Sequence, residues 1–208
     1  MGKLGASVVA VVSDILGAAG VPGGSTLGRI FEAIQERRAV NARDIFLEEL
    51  SAGEVSFEEG EFEPLFEALY LYRVASEKGA ANRNLRLLAQ VIVGLKRNKA
   101  LQVDKFQRWV PILSELTRDE VVLLGFSYQV LPTLEGASDR MQQASRFSNR
   151  LTSLMLEAGY ERGEIEGLCA SVGRFGFMIP QTAQGPQYRP SPWIRELGDL
   201  VGGRFDPE

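Results

Sequence analysis

The residue types that most often perform chemistry are nearly missing from this sequence. None of its 208 residues is a histidine, and Cys169 is its one cysteine. The sequence therefore excludes a histidine-dependent triad, a Cys–His dyad and a histidine-ligated metal site within this chain. An internal disulfide is excluded as well, which favours a reducing compartment. Cys169 lies among small apolar residues, GLCASV, and this setting predicts a packed core thiol.

A glycine-rich stretch, GAAGVPGGST at 17–26, raises the question of a phosphate-binding loop. A Walker-type loop needs a lysine directly before its serine or threonine, and it follows a strand. Here Gly24 stands before Ser25, and a helical pattern precedes the stretch. We therefore predict a hinge between two helices, with Ser25 or Thr26 as the N-cap of the second helix.

The acidic run at 54–67 is the other stretch with residues that could bind a metal. It lacks the regularly spaced carboxylates and the glycine of an EF-hand loop, so we interpret it as solvated glutamates at the start of a helix. We predict no catalytic residue, no metal and no cofactor, and we expect a protein that is not an enzyme.

Charge is unevenly distributed along the chain. Residues 32–67 contain eleven acidic and three basic side chains, whereas residues 73–108 contain nine basic and two acidic ones. One interpretation is a basic surface for an anionic partner such as nucleic acid, an acidic protein or a phospholipid. The other is that the two segments pack side by side and neutralise each other. The candidate partner-binding cations are Arg83, Arg86, Lys96, Arg97, Lys99, Lys105 and Arg108.

The elements that must position these residues are predicted to be helices almost throughout. The spacing of apolar residues predicts helices at 6–19, 26–52, 61–78, 82–97, 103–116, 137–158, 161–174 and 193–201, and a further helix that begins at the capping box Thr117–Glu120 and ends before Pro132. Pro111 suggests a kink or break in the fifth helix. We expect an all-α fold, a single domain of about eight helices with a C-terminal tail of loop and short helix.

The apolar residues at helical spacing include Ile34 in the second helix, Phe66 in the third, and Met141 and Leu156 in the seventh.

Three segments divide the chain. We predict an apolar N-terminal helix with its glycine-rich hinge at 1–25, a helical core domain at 26–180, and a proline-containing tail with one amphipathic helix at 181–208. Trp193 begins the tail helix, where it either docks on the core or contacts a partner. The apolar run at 4–20 contains Asp14 and is too short for a membrane span, and Ser13 and Asp14 interrupt it as a signal peptide. We expect a cytoplasmic protein.

Two segments resemble a known family. They are NRNLRLLAQVIVGLKRN at 82–98 and FQRWVPILSELTRDEVVLL at 106–124, and together they are similar to bacterial proteins akin to the Abi-alpha family of abortive-infection proteins. The segment LCASVGRFGFMIP at 168–180 resembles the ending of those proteins and of winged-helix modules. The resemblance implies a non-enzymatic role in phage defence or counter-defence, and it supplies no catalytic residues.

Three functions remain open from the sequence. The first is an interaction protein of a bacterium or phage that works through protein contacts or self-association, using the basic helix face and Trp193. The second is a nucleic-acid-binding protein that uses the basic segment 73–108, with 117–180 as a degenerate helix-turn-helix region. The third is a membrane-active effector that uses residues 4–20.

Overall fold

The computed structural model describes residues 6–17, 26–135, 139–181 and 187–205. Nine α-helices and one antiparallel pair of strands account for most of these residues. The helices are α1 Ala6–Gly17, α2 Thr26–Ala52, α3 Phe62–Glu77, α4 Asn82–Arg97, α5 Val103–Glu115, α6 Arg118–Val130, α7 Arg140–Glu157, α8 Arg162–Gly173 and α9 Pro192–Leu200. The strands are β1 Met178–Gln181 and β2 Gln187–Pro190. The predicted all-α fold is confirmed, while the predicted hinge lies mostly outside the described residues.

The chain divides into two compact units, unit 1 at Met1–Glu115 and unit 2 at Leu116–Glu208. The three segments proposed from the sequence, 1–25, 26–180 and 181–208, stay a prediction.

Helix α4 is the centre of unit 1. Its residues are buried without interruption from Leu87 to Leu95, because α2, α3 and α5 pack around it. A helix that is apolar on all sides is stable only where protein covers every side. Helix α1 packs against α2 and α3, with Val8, Val12 and Leu16 buried one turn apart.

Helix α5 runs through Pro111 without a break, so of the predicted kink or break the break is wrong. Proline lacks the N–H that would bond the carbonyl of Gln107, four residues earlier. Both Gln107 and Pro111 are exposed, so water can satisfy that carbonyl and the helix continues to Glu115.

Unit 2 is built around α6, which contacts α7, α8 and α9. Its start has the predicted capping box: Glu120 N donates to Thr117 Oγ1 at 3.3 Å, and Thr117 N donates to Glu120 Oε2 at 2.7 Å. Against the same helix, Gly198 of α9 lies so close to Tyr128 that a Cβ on the glycine would be 2.0 Å from the ring Cδ2.

The two strands of unit 2 replace part of the predicted loop at 181–192. Met178 pairs with Pro190 and Gln181 with Gln187, and the hairpin rests on α7 and α8. The sequence pattern does not indicate these strands, because each has only four residues and each contains a proline, which argues against a strand.

The tail helix α9 belongs to the core of unit 2, since Ile194, Leu197 and Leu200 are buried.

Four of the apolar residues at helical spacing are exposed. Ile34 is 45% exposed, Phe66 54%, Met141 62% and Leu156 40%. Their helices thus carry apolar residues that the neighbouring elements do not cover. In α3, the buried face is formed by Leu65, Leu69 and Tyr72, which leaves Phe66 outside it.

Candidate functional site

Arg86 of α4 is held by two carboxylates of α2. Its Nη1 lies 3.0 Å from Glu48 Oε2 and 3.0 Å from Glu49 Oε1. Burial lowers the pKa of Arg86, but the two glutamates outweigh burial and raise it overall. The guanidinium therefore stays charged and is engaged inside unit 1, although the sequence proposed it for a partner.

Lys96, at the end of α4, is engaged in the same way. Its Nζ donates to both carboxylate oxygens of Glu61 and lies 5.6 Å from the centre of the Phe57 ring. The pKa of Glu61 is lowered, first by the backbone N–H of Glu58 and then by Lys96. At Arg86 and Lys96, the acidic and basic segments neutralise each other, as the second interpretation of the charge pattern proposed.

The remaining predicted cations occupy different settings. Arg83 is half-buried near the start of α4, and the guanidinium of Arg108 lies 4.5 Å from the ring centre of Trp109. Arg97, Lys99 and Lys105 are exposed around the turn that joins α4 to α5. Arg86 and Lys96 thus face carboxylates of their own unit, whereas Lys99 and Lys105 lie on the exposed surface at this turn.

Trp193 packs within unit 2. Its ring meets the Phe177 ring edge-on, with centres 6.4 Å apart and an interplanar angle of 83°. Ser191 caps the helix by accepting a hydrogen bond from Trp193 N at 3.2 Å. These contacts favour the docked alternative over an anchor that reaches for a partner.

Cys169 is the buried core thiol that the sequence predicted. Burial, with a smaller contribution from Glu166, raises the pKa of the thiol to about 12. The thiol is therefore protonated at neutral pH, and only thiolates are effective nucleophiles.

The exposed face of α3 forms a groove with α5 that was not predicted from the sequence. The groove has a volume of about 260 Å³ and is lined by Phe66, Glu67, Tyr70, Leu71, Val103 and Gln107; we call it the aromatic groove. Phe66 is 54% exposed and Tyr70 is 58% exposed. The available signal was an apolar pattern in α3 too wide for one packed face.

Two carboxylates lie on the same side of α3. Glu63 and Glu67 are three residues away from Phe66 and Tyr70, respectively, and residues at this spacing are neighbours on a helix surface. Both are exposed, and neither side chain forms a hydrogen bond or ion pair with another residue of the described ranges. The aromatic groove is therefore apolar at its centre and acidic along one side.

Comparisons with known proteins found no match to this chain among family models, curated proteins or solved structures. In the described parts of the chain, no helix is long and apolar enough to cross a bilayer.

Proposed function

We propose that this chain is an interaction protein that binds a helix of a partner protein in the aromatic groove. The observation that carries the proposal is the exposure of Phe66 and Tyr70, at 54% and 58%, side by side on one helix face. Burying a fully exposed apolar side chain contributes about 1.5–3 kcal/mol to binding, and each of these two side chains can gain roughly half of that. Aromatic side chains are also enriched among the few residues that dominate binding energy at protein interfaces.

The shape and charge of the groove favour a basic amphipathic helix as its occupant. A groove between two helices accepts a third helix, which inserts apolar residues spaced three and four apart. Glu67 lines the groove and Glu63 lies one turn before it on α3, and neither has an ionic partner in the described chain. Lysine or arginine residues flanking the apolar face of the partner would meet these carboxylates and speed association.

The two alternatives from the sequence have less support. For nucleic acid, two of the proposed cations, Arg86 and Lys96, are already paired with glutamates. For a membrane-active α1, the apolar residues Val8, Val12 and Leu16 are already buried in unit 1. The link to phage defence or counter-defence, implied by the resemblance to the Abi-alpha family, stays a prediction.

Site-specific photo-cross-linking in the native cells tests the proposal. A photoreactive phenylalanine analogue would replace Phe66 in one variant and Met141, which is 62% exposed on α7, in a control variant. We expect one protein adduct from position 66 that is absent from position 141, with the cross-link in a basic amphipathic helix. A second copy of this chain as the adduct would identify self-association. Equal labelling from both positions, or no protein adduct from position 66, would contradict the proposal.

A synthetic peptide with the sequence of the cross-linked segment is then used to measure the binding affinity. Phe66→Ala with Tyr70→Ala should weaken binding at least about 30-fold, because one dominant interface residue contributes about 2 kcal/mol or more. Ile34→Ala, which removes a 45% exposed apolar residue from α2, is the matched control and should leave affinity unchanged. Calorimetric titration measures both, and an equal loss in the control would place the contact elsewhere.

A further inference from the structure

Unit 2 contains a cleft whose chemistry differs from that of the aromatic groove. It lies between α7 and α8, is closed at one end by β2, and has a volume of about 420 Å³. Clefts of roughly 300–1,000 Å³ are typical of small-molecule sites.

The floor of this cleft is apolar. Leu151 of α7 and Ile165 and Cys169 of α8 line it, and they are 2%, 4% and 4% exposed. Because the Cys169 thiol is protonated at neutral pH, it contributes to the floor as a small apolar group. This floor can take an aliphatic part of a ligand.

The walls of the cleft are polar and carry unused hydrogen-bonding capacity. Ser148 is occupied, because its Oγ donates to Tyr188 O at 3.1 Å and accepts from Tyr188 N at 3.0 Å. The side chains of Asn149, Thr152 and Tyr188 also line the cleft, and none of them bonds to another side chain or backbone group of the described residues. These groups are available to a polar ligand.

Two side chains of opposite charge lie on one wall of the cleft. Arg162 and Glu166 are four residues apart on α8, so their Cβ atoms are about 5–6 Å apart. They do not pair with each other or with any other described residue. The pKa of Tyr188 is raised by burial, then by Cys169 and then by Glu166. The charge of Glu166 therefore acts on a side chain that lines the cleft.

We propose that this cleft binds a small zwitterion, with its carboxylate on Arg162, its ammonium group on Glu166 and its aliphatic part on the floor. Two extended residues span at most about 7 Å, which is close to the spacing of about 5–6 Å between the Cβ atoms of Arg162 and Glu166. A dipeptide therefore fits the spacing better than a free amino acid, although both present the same chemistry. The binding is non-covalent and is separate from partner binding in unit 1.

The test uses the ¹H–¹⁵N NMR spectrum of the full chain, titrated in separate samples with glycyl-leucine, alanyl-leucine and leucine. We expect saturable shifts at Asn149, Thr152, Glu166 and Tyr188, with the dipeptides binding more tightly than leucine. N-acetyl-leucine and leucine amide each lack one of the two charges of leucine and should bind at least about tenfold more weakly than leucine. If leucine binds more tightly than the dipeptides, the ligand is a free amino acid, and the assigned contacts of its carboxylate and ammonium group remain the same.

Three variants test the assigned contacts. Arg162→Gln and Glu166→Gln should each weaken dipeptide binding at least about tenfold, because each removes a charge-assisted hydrogen bond. Arg195→Gln, at an exposed position on α9, is the control and should bind as the unaltered chain does. All three positions are exposed, so the melting temperature should not change and a loss of binding reports on the cleft. Absence of saturable shifts up to about 10 mM, or unchanged binding in Arg162→Gln and Glu166→Gln, would overturn the proposal.

Discussion

Each unit of the described chain buries one glutamate, and the two glutamates are held in different ways. Glu49 of unit 1 is 2% exposed and Glu120 of unit 2 is 1% exposed. Glu49 lies on α2 and is paired with a guanidinium from α4. Glu120 is bonded to the start of its own helix, where Thr117 N donates to it, and accepts a further hydrogen bond from Ser171 Oγ. Arg174 lies farther away, at 3.6 Å.

The comparison shows two solutions to one electrostatic problem. Removing a carboxylate from water costs several kcal/mol unless other groups replace its hydration. In unit 1 the replacement is an opposite charge, the guanidinium of Arg86 on α4. In unit 2 hydrogen bonds from Thr117 N and from Ser171 Oγ on α8 make most of it, so the carboxylate depends less on any one cation.

The largest effect is expected where the buried glutamate loses its cation. Arg86→Ala should lower the free energy of unfolding by about 3 kcal/mol, because it leaves Glu49 buried without its guanidinium. Arg43→Ala removes an exposed pair with Asp44 and should cost about 0.5 kcal/mol or less. Urea unfolding of both variants gives the two values, and similar losses would mean that Glu49 does not need Arg86.

A smaller, pH-dependent effect is expected at Glu120. Glu120→Gln should cost about 1–2 kcal/mol at neutral pH, because the amide has one acceptor oxygen and can keep only one of the hydrogen bonds from Thr117 N and Ser171 Oγ, and because the negative charge is lost. Burial raises the pKa of Glu120, but hydrogen bonds from Ser171 and Thr117, with the charge of Arg174, outweigh burial and lower it below 4.5 overall. Because the pKa of Glu120 is lowered in the folded state, its ionised carboxylate stabilises the fold above pH 4.5. This stabilisation is lost as the pH falls through the pKa of the folded state.

Urea unfolding of Glu120→Gln and the unaltered chain at neutral pH and well below pH 4.5 tests this sign. The difference between them should shrink in acid. Glu164→Gln, which alters the exposed capping box of α8, is the control for loss of a cap without burial. A difference that stays constant with pH would show that the carboxylate of Glu120 does not stabilise the fold through its charge.

The smallest effect is expected at Arg174. Its side chain is 55% exposed and 3.6 Å from Glu120, so Arg174→Gln should cost about 0.5 kcal/mol or less. The same unfolding measurement compares it with Arg86→Ala. A loss as large as that of Arg86→Ala would remove the distinction between the two glutamates.

The sequence predicts local features of the fold better than contacts between segments that are distant in sequence. The capping box at Thr117 and Glu120 is local, so its spacing alone identified the start of α6. The positions of α2 and α4 followed equally well from local apolar spacing. The hairpin was missed because pairing between β1 and β2 is what stabilises it, and its prolines gave the opposite local signal.

The candidate sites depended more on tertiary structure, and the sequence predicted them less well. Segregated charge suggested neutralisation or a basic surface, but only the packing of α2 against α4 places Arg86 beside Glu49. The aromatic groove and the cleft each require two helices at a known distance. No periodicity in one helix could show that α5 leaves Phe66 exposed or that β2 closes the cleft beside α8.

The close approach of Gly198 to Tyr128 has a consequence for how this protein can change during evolution. No side chain fits at position 198 while the ring stands 2.0 Å from where its Cβ would be. A side chain at position 198 therefore requires the Tyr128 ring to move or a smaller residue at 128. The contact between α6 and α9 thus couples the substitutions that these two positions tolerate.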